Sequence, residues 1–137
     1  MKKLFLTSFF ALLSLCTSAY DFEAGGIYYT IKYDNTVEVT KNGNGEYAGN
    51  IVIPDIVRYD SKEYSVTSIG YVAFWGCSGL TAIDIPESVT SIEAYAFEGC
   101  SGLTAINIPA SVTSIGERAF SNCIYNHRTT KTNQKYP

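Results

Sequence analysis

The 137 residues contain a single histidine, His127, set in a polar C-terminal stretch with no positioned partner nearby. A nucleophile–base pair needs two groups held within hydrogen-bond reach. The thirteen acids are scattered, with no two carboxylates at a suggestive phase, and no glycine motif that cradles phosphate is present. Positive charge is also scarce: ten Lys and Arg stand against thirteen Asp and Glu. Every acid lies within Tyr20–Ser121, which holds only Lys32, Lys41, Arg58, Lys62 and Arg118 as bases. Nucleic-acid binders carry a basic face, and this body is acidic. Past the first residues no long apolar run occurs, so no transmembrane span is expected. These absences lead to an expectation of no catalytic residues, no metal, no cofactor and no nucleic-acid partner.

The first residues have a different character. Met1-Lys2-Lys3 is basic, Leu4–Leu15 is apolar apart from Thr7, Ser8 and Ser14, and Thr17-Ser18-Ala19 is small. This is the layout of a secretory signal peptide, with cleavage expected after Ala19. A second reading makes Cys16 the acylated residue of a lipoprotein signal, against which Leu15 is bulky where Gly, Ala or Ser is usual. Loss of Lys2 and Lys3 would take the formal charge from −3 to −5.

Four cysteines in a small exported chain suggest a disulfide framework, but their positions argue otherwise. Cys16 falls in the leader, while Cys77, Cys100 and Cys123 recur at one phase, 23 residues apart. Stacked at the strand spacing of about 4.8 Å, their Cβ vectors would run parallel, whereas a disulfide needs them to converge. A row is also the wrong shape for tetrahedral zinc. Buried thiols acting as small apolar residues are expected.

The phase those cysteines share is that of an internal repeat. Ser65–Glu87 reads SVTSIGYVAFWGCSGLTAIDIPE, Ser88–Ala110 reads SVTSIEAYAFEGCSGLTAINIPA, and a third copy begins at Ser111 and loses the pattern after Cys123. A fixed period of this length predicts stacked coils. Within a coil, Leu80-Thr81-Ala82-Ile83-Asp84-Ile85 reads as an inner strand stopped by Pro86, and Ser88–Ile92 as an extended return. Ala96-Phe97 is expected to close a short helical turn. Phe74, Phe97 and Phe120 should form a buried spine, flanked by Ile69, Ile92, Ile115 and by Val66, Val89, Val112.

Upstream, Ile27–Tyr33 and Thr36–Thr40 read as strands joined at Asp34-Asn35, and Ile51-Val52-Ile53-Pro54 matches Ile83-Asp84-Ile85-Pro86. Asp55–Tyr64 is an insert with a hairpin expected around Asp60-Ser61-Lys62. The expected domains are a leader at 1–19, a β-rich cap including the first inner strand at 20–64, two full repeats and one broken at 65–123, and a disordered polar tail at 124–137. The lost pattern leaves two possibilities: a shortened product of a longer repeat protein, or an open last coil that associates with itself or a partner.

The phase L-x-x-I-x-I-P-x-x-V-x-x-I-x-x-x-A-F-x-x-C, carried by Leu80, Ile83, Ile85, Pro86, Val89, Ile92, Ala96, Phe97 and Cys100, resembles the BspA-like leucine-rich repeats of bacterial surface proteins. The opening Tyr20-Asp21-Phe22 and Gly26-Ile27-Tyr28-Tyr29 is similar as well. The resemblance implies a right-handed leucine-rich repeat solenoid, export to the bacterial surface, adhesion to host proteins or neighbouring cells, and no catalytic constellation in the repeats.

Two surfaces could carry binding. On the inner strands Thr81, Ala82, Asp84, Thr104, Ala105 and Asn107 point outward, with Glu87 at the rim; the alternative is a plain solvated sheet face. On the outer turns Tyr71, Trp75 and Tyr95 occupy positions that vary between copies. They are either an aromatic contact patch or are covered by the Asp55–Tyr64 insert. The expected function is a secreted or surface-displayed module that binds extracellular or host-surface proteins. The alternative is a structural piece of a longer protein without its own activity.

Overall fold

The structure, a computed structural model, describes residues 20–43 and 46–124. Residues 1–19, expected as a leader and holding Cys16, and residues 125–137, expected as a tail and holding His127, lie outside the described residues. Among them ten strands form and no helix does.

The N-terminal strands β1 (Phe22–Ala24), β2 (Ile27–Ile31) and β3 (Thr36–Thr40) form an antiparallel meander. Alternation sets its inward face: Ile27, Tyr29, Val37 and Val39 are buried while their neighbours are not. The hairpin expected at Asp34-Asn35 forms, with φ of 61° and 55°, values that short polar side chains tolerate. Its first strand ends at Ile31, whose N–H donates to Asp21 Oδ2 at 2.7 Å.

β3 next pairs in parallel with β6 (Lys62–Ile69), Val37 opposite Val66 and Val39 opposite Ile69. The same ladder continues through β8 (Ser91–Ile92) to β10 (Ser114–Ile115), aligning Ile69, Ile92 and Ile115. β5 (Ile56–Tyr59) joins antiparallel to the first half of β6 through Asp60-Ser61, which gives the hairpin expected from the insert. A second sheet runs β4 (Gly49–Val52), β7 (Leu80–Asp84) and β9 (Ala105–Asn107), with Ile51, Ile83 and Ile106 in register. The match of Ile51-Val52 to Ile83-Asp84 is therefore a match in space.

Between the two sheets lies one core. The rings of Phe74, Phe97 and Phe120 stack at 5.0 and 5.2 Å between centroids, nearly parallel. Tyr47 extends the row, 4.6 Å from Phe74 and 4% exposed. Its hydroxyl donates to Thr40 O at 2.8 Å and accepts the Tyr28 N–H at 3.0 Å, satisfying its polar end inside the core. A first coil is thus assembled from β3, the loop carrying Tyr47, and β4.

The helical turn expected at Ala96-Phe97 does not form. Tyr95 sits at φ 59°, outside helical space, and the Phe97 and Gly99 N–H groups bond across to Ala119 O (2.7 Å) and Ser121 O (2.8 Å) of the next coil. Bonds between coils take the donors that a helix would use for i→i−4 pairing. The same left-handed conformation recurs at Val72 (φ 51°) and Arg118 (φ 54°), and at Gly76, Gly99 and Asn122 later in the turn. Glycine and asparagine reach that region easily, whereas a β-branched side chain is strained there. Val72→Asn should therefore raise stability by up to about 1 kcal/mol, several degrees in Tm for a domain of this size. A lower melting temperature would show that packing of the valine outweighs its backbone strain.

Candidate binding surface

The strip named from the sequence is exposed and in register. Thr81 and Asp84 on β7, Asn107 on β9, Thr104 just before β9 and Glu87 in the turn after β7 are all exposed. Asp84 stands opposite Asn107, and Ala82 opposite Ala105. Thr104 Oγ1 donates to Thr81 O at 3.3 Å, so one hydroxyl row is tied to the backbone while the carboxylate and amide stay available. The parallel ladder brings β4 into the same strip, with Val52, 62% exposed, opposite Asp84. The phase of Ile51-Val52-Ile53-Pro54 already carried the signal for Val52, which is one residue after the isoleucine just as Asp84 is.

The outer aromatics lie on the turn segments between β6 and β7 and between β8 and β9, separate from the strip. Tyr71 and Tyr95 meet edge to face at 5.9 Å, and Tyr71 and Trp75 are 63% and 49% exposed. The insert does not cover them. It is drawn to β6 by strand pairing and to the N-terminal meander by Tyr59, whose ring stacks on Phe22 at 4.4 Å. What lies over Trp75 is Lys41, its Nζ 5.1 Å from the ring centroid, a contact between residues far apart in sequence that no motif announces.

The cysteines line the core as free thiols. Cys77 and Cys100 are buried and Cys123 is half-buried. Cys100 Sγ lies 3.0 Å from Phe74 O, and Cys123 Sγ 2.9 Å from Phe97 O, each thiol bonding a carbonyl of the preceding coil. Burial pushes the Cys77 thiol up, and the neighbouring Cys123 thiol together with burial pushes Cys100 up. The half-buried Cys123 is shifted the other way, down, by the neighbouring Cys100. The Tyr29 and Tyr47 hydroxyls are raised by burial. Among the described residues no three His, Cys, Asp or Glu side chains gather as a metal site would need, and no helix is long and apolar enough to cross a membrane.

No curated protein sequence matches the chain. Its fold is similar to that of a leucine rich cell surface protein from Faecalibacterium prausnitzii, with a TM-score of 0.65 and 30% identity over 77% of this chain and 29% of that one. A leucine-rich repeat protein from Bacteroides ovatus is similar with a TM-score of 0.58 and 32% identity, covering 77% of this chain and 34% of that one. For the leucine rich repeat protein of T. pallidum the TM-score is 0.62 and the identity 27%, covering 74% and 45%. The chain thus spans roughly a third of the first two relatives' length. The model of the BspA type leucine rich repeat region (6 copies) matches residues 57–136, more than half of the sequence. With its stack of strands and aligned Phe rings, the chain belongs to the BspA-type leucine-rich repeat family.

Proposed function

We propose that this chain is an exported repeat module that binds extracellular or host-surface proteins and serves adhesion to host or neighbouring cells. Residues 1–19 direct export and are removed after Ala19. Residues 20–64 cap a right-handed solenoid of 23-residue coils, and residues 65–123 supply the repeats. The observation that carries the reading is the exposed strip on β4, β7 and β9, where Val52, Asp84 and Asn107 stand side by side at strand spacing. Such a row offers a partner one apolar, one anionic and one amide contact on a rigid sheet, an arrangement suited to a polypeptide surface. That the F. prausnitzii relative is called a leucine rich cell surface protein supports a surface role.

The test is binding of the purified protein to a panel of immobilised extracellular-matrix proteins. Asp84→Ala and Trp75→Ala are each expected to weaken binding about tenfold, the effect of losing one strong contact. Binding unchanged by both would remove these residues from the site. A soluble chain that binds nothing on the panel would favour the alternative, a structural piece without independent activity.

A second contact is proposed at the far coil. There Ile124 is 71% exposed, and Ile108, Ile115 and Cys123 are only partly buried against the core. This end is the site for self-association, to be read as a mass that rises with concentration in sedimentation.

A further inference from the structure

The contact between Lys41 and Trp75 is unusual for this molecule. Of the five bases in Tyr20–Ser121, three are in ion pairs: Lys32 with Glu38, Arg58 with Glu63 and Arg118 with Glu98. Lys41, with thirteen acids in the same segment, rests on an aromatic face and pairs with no carboxylate among the described residues. A cation within about 6 Å of an indole centroid is attracted by the ring quadrupole, and tryptophan is the strongest such acceptor. The ring is about half exposed, at 49%, so the attraction is modest and the seat is exchangeable.

The backbone arranges further groups around the same seat. The Gly76 N–H, next to Trp75, bonds Glu98 O at 2.8 Å, and the Val72 N–H bonds Ala94 O at 3.3 Å, setting Tyr95 and Glu98 on the coil beside Tyr71 and Trp75. Tyr71 and Tyr95 meet edge to face on the same outer turns, and Glu98, its carboxylate 4.0 Å from Arg118, lies on the neighbouring coil. Exposed rings on a segment that holds thirteen acids against five bases form a surface complementary to positive charge.

Resting on the reading of the chain as a protein-binding module, we propose that Trp75, with Tyr71 and Tyr95 beside it, is the seat for a Lys or Arg side chain of a basic polypeptide partner. Lys41 holds that seat in the free protein and is displaced on binding. The guanidinium of arginine fits best, since its plane can stack on the indole.

The chain contains one tryptophan, so its intrinsic emission reports directly on the seat. The purified protein is titrated with an oligo-arginine peptide, and with oligo-glutamate and Gly-Ser peptides as controls. A saturable change in emission is expected with oligo-arginine alone. With a fluorescently labelled peptide read by anisotropy, Trp75→Ala should weaken binding about fivefold and Trp75→Phe less. Lys41→Gln should tighten binding about threefold more than Lys62→Gln, which removes the same charge from the β5–β6 hairpin. Equal effects of the two lysine variants, or full affinity in Trp75→Ala, would reduce the attraction to general acidity and overturn the seat. Trp75-dependent binding to phosphatidylcholine vesicles without binding to oligo-arginine would overturn the polypeptide partner in favour of a lipid headgroup. If the seat fails while matrix-protein binding still depends on Asp84, the module reading stands without it.

Discussion

Replacing Phe97 by alanine is expected to unfold the domain near physiological temperature. The ring is 0% exposed and lies between Phe74 and Phe120, within 5.2 Å of each and tilted from them by no more than 5°. Deleting it removes the shared partner of two other rings. A core Phe→Ala change costs about 3–5 kcal/mol, and a domain of this size has a total stability on the order of 5–15 kcal/mol. The hole has little freedom to collapse, because the Phe97 N–H is bonded to Ala119 O and the Phe74 N–H to Ala96 O, both at 2.7 Å, which fixes the coils on either side. A drop in melting temperature of more than about 12 °C follows. The half-buried Phe120 should tolerate the same change better. A melt that moves by only a few degrees in Phe97→Ala, or as far in Phe120→Ala, would contradict the continuous spine.

Gly102→Ala is the second large effect. A Cβ built at Gly102 would lie 2.3 Å from Ser78 O and 3.1 Å from Leu80 O, both backbone atoms of the preceding coil. No side chain can swing away to relieve such a contact, so the coils must move apart. That separation lengthens neighbouring bonds such as Thr104 N–H to Thr81 O at 3.2 Å. Overpacking of this kind costs about 1–3 kcal/mol and occasionally more. The equivalent residue one coil earlier, Gly79, meets only Ala48, with its side chain nearest at 3.2 Å. Gly79→Ala should therefore cost less than half as much. Chemical denaturation of both variants measures the difference, and equal losses would refute the close approach of the coils at Gly102.

The sequence made the repeated parts of this architecture readable and left the contacts between unlike parts hidden. Phe74, Phe97 and Phe120 share a phase across near-identical copies, so their stack followed from the period. Tyr47 occupies the next place in that row but sits in a loop whose residues match no copy, and only the ring contact with Phe74 reveals it. The bends at Gly76, Gly99 and Asn122 could be read because those residue types favour positive φ. The equivalent bends at Val72, Tyr95 and Arg118 could not, since nothing in those side chains announces a left-handed backbone, and a helical turn was expected there instead. In the candidate surface, Asp84 and Asn107 followed from strand alternation. The seating of Lys41 on Trp75 depends on how the loop after β3 crosses the outer turns, which the repeat period does not encode.

The side-chain bonds between coils share a direction. Thr90 donates to Thr67 O, Thr113 to Thr90 O, Thr104 to Thr81 O, Cys100 to Phe74 O and Cys123 to Phe97 O. In every one of these pairs the later residue donates and the earlier carbonyl receives. A coil therefore finds the acceptors for its hydroxyl and thiol already in place once its predecessor has formed. Chains are synthesised from the N-terminus, so the order of growth coincides with the order in which these bonds become available. The coil that carries Thr67 and Phe74 supplies the first of these acceptors, and each later coil meets the same row of carbonyls on the coil before it.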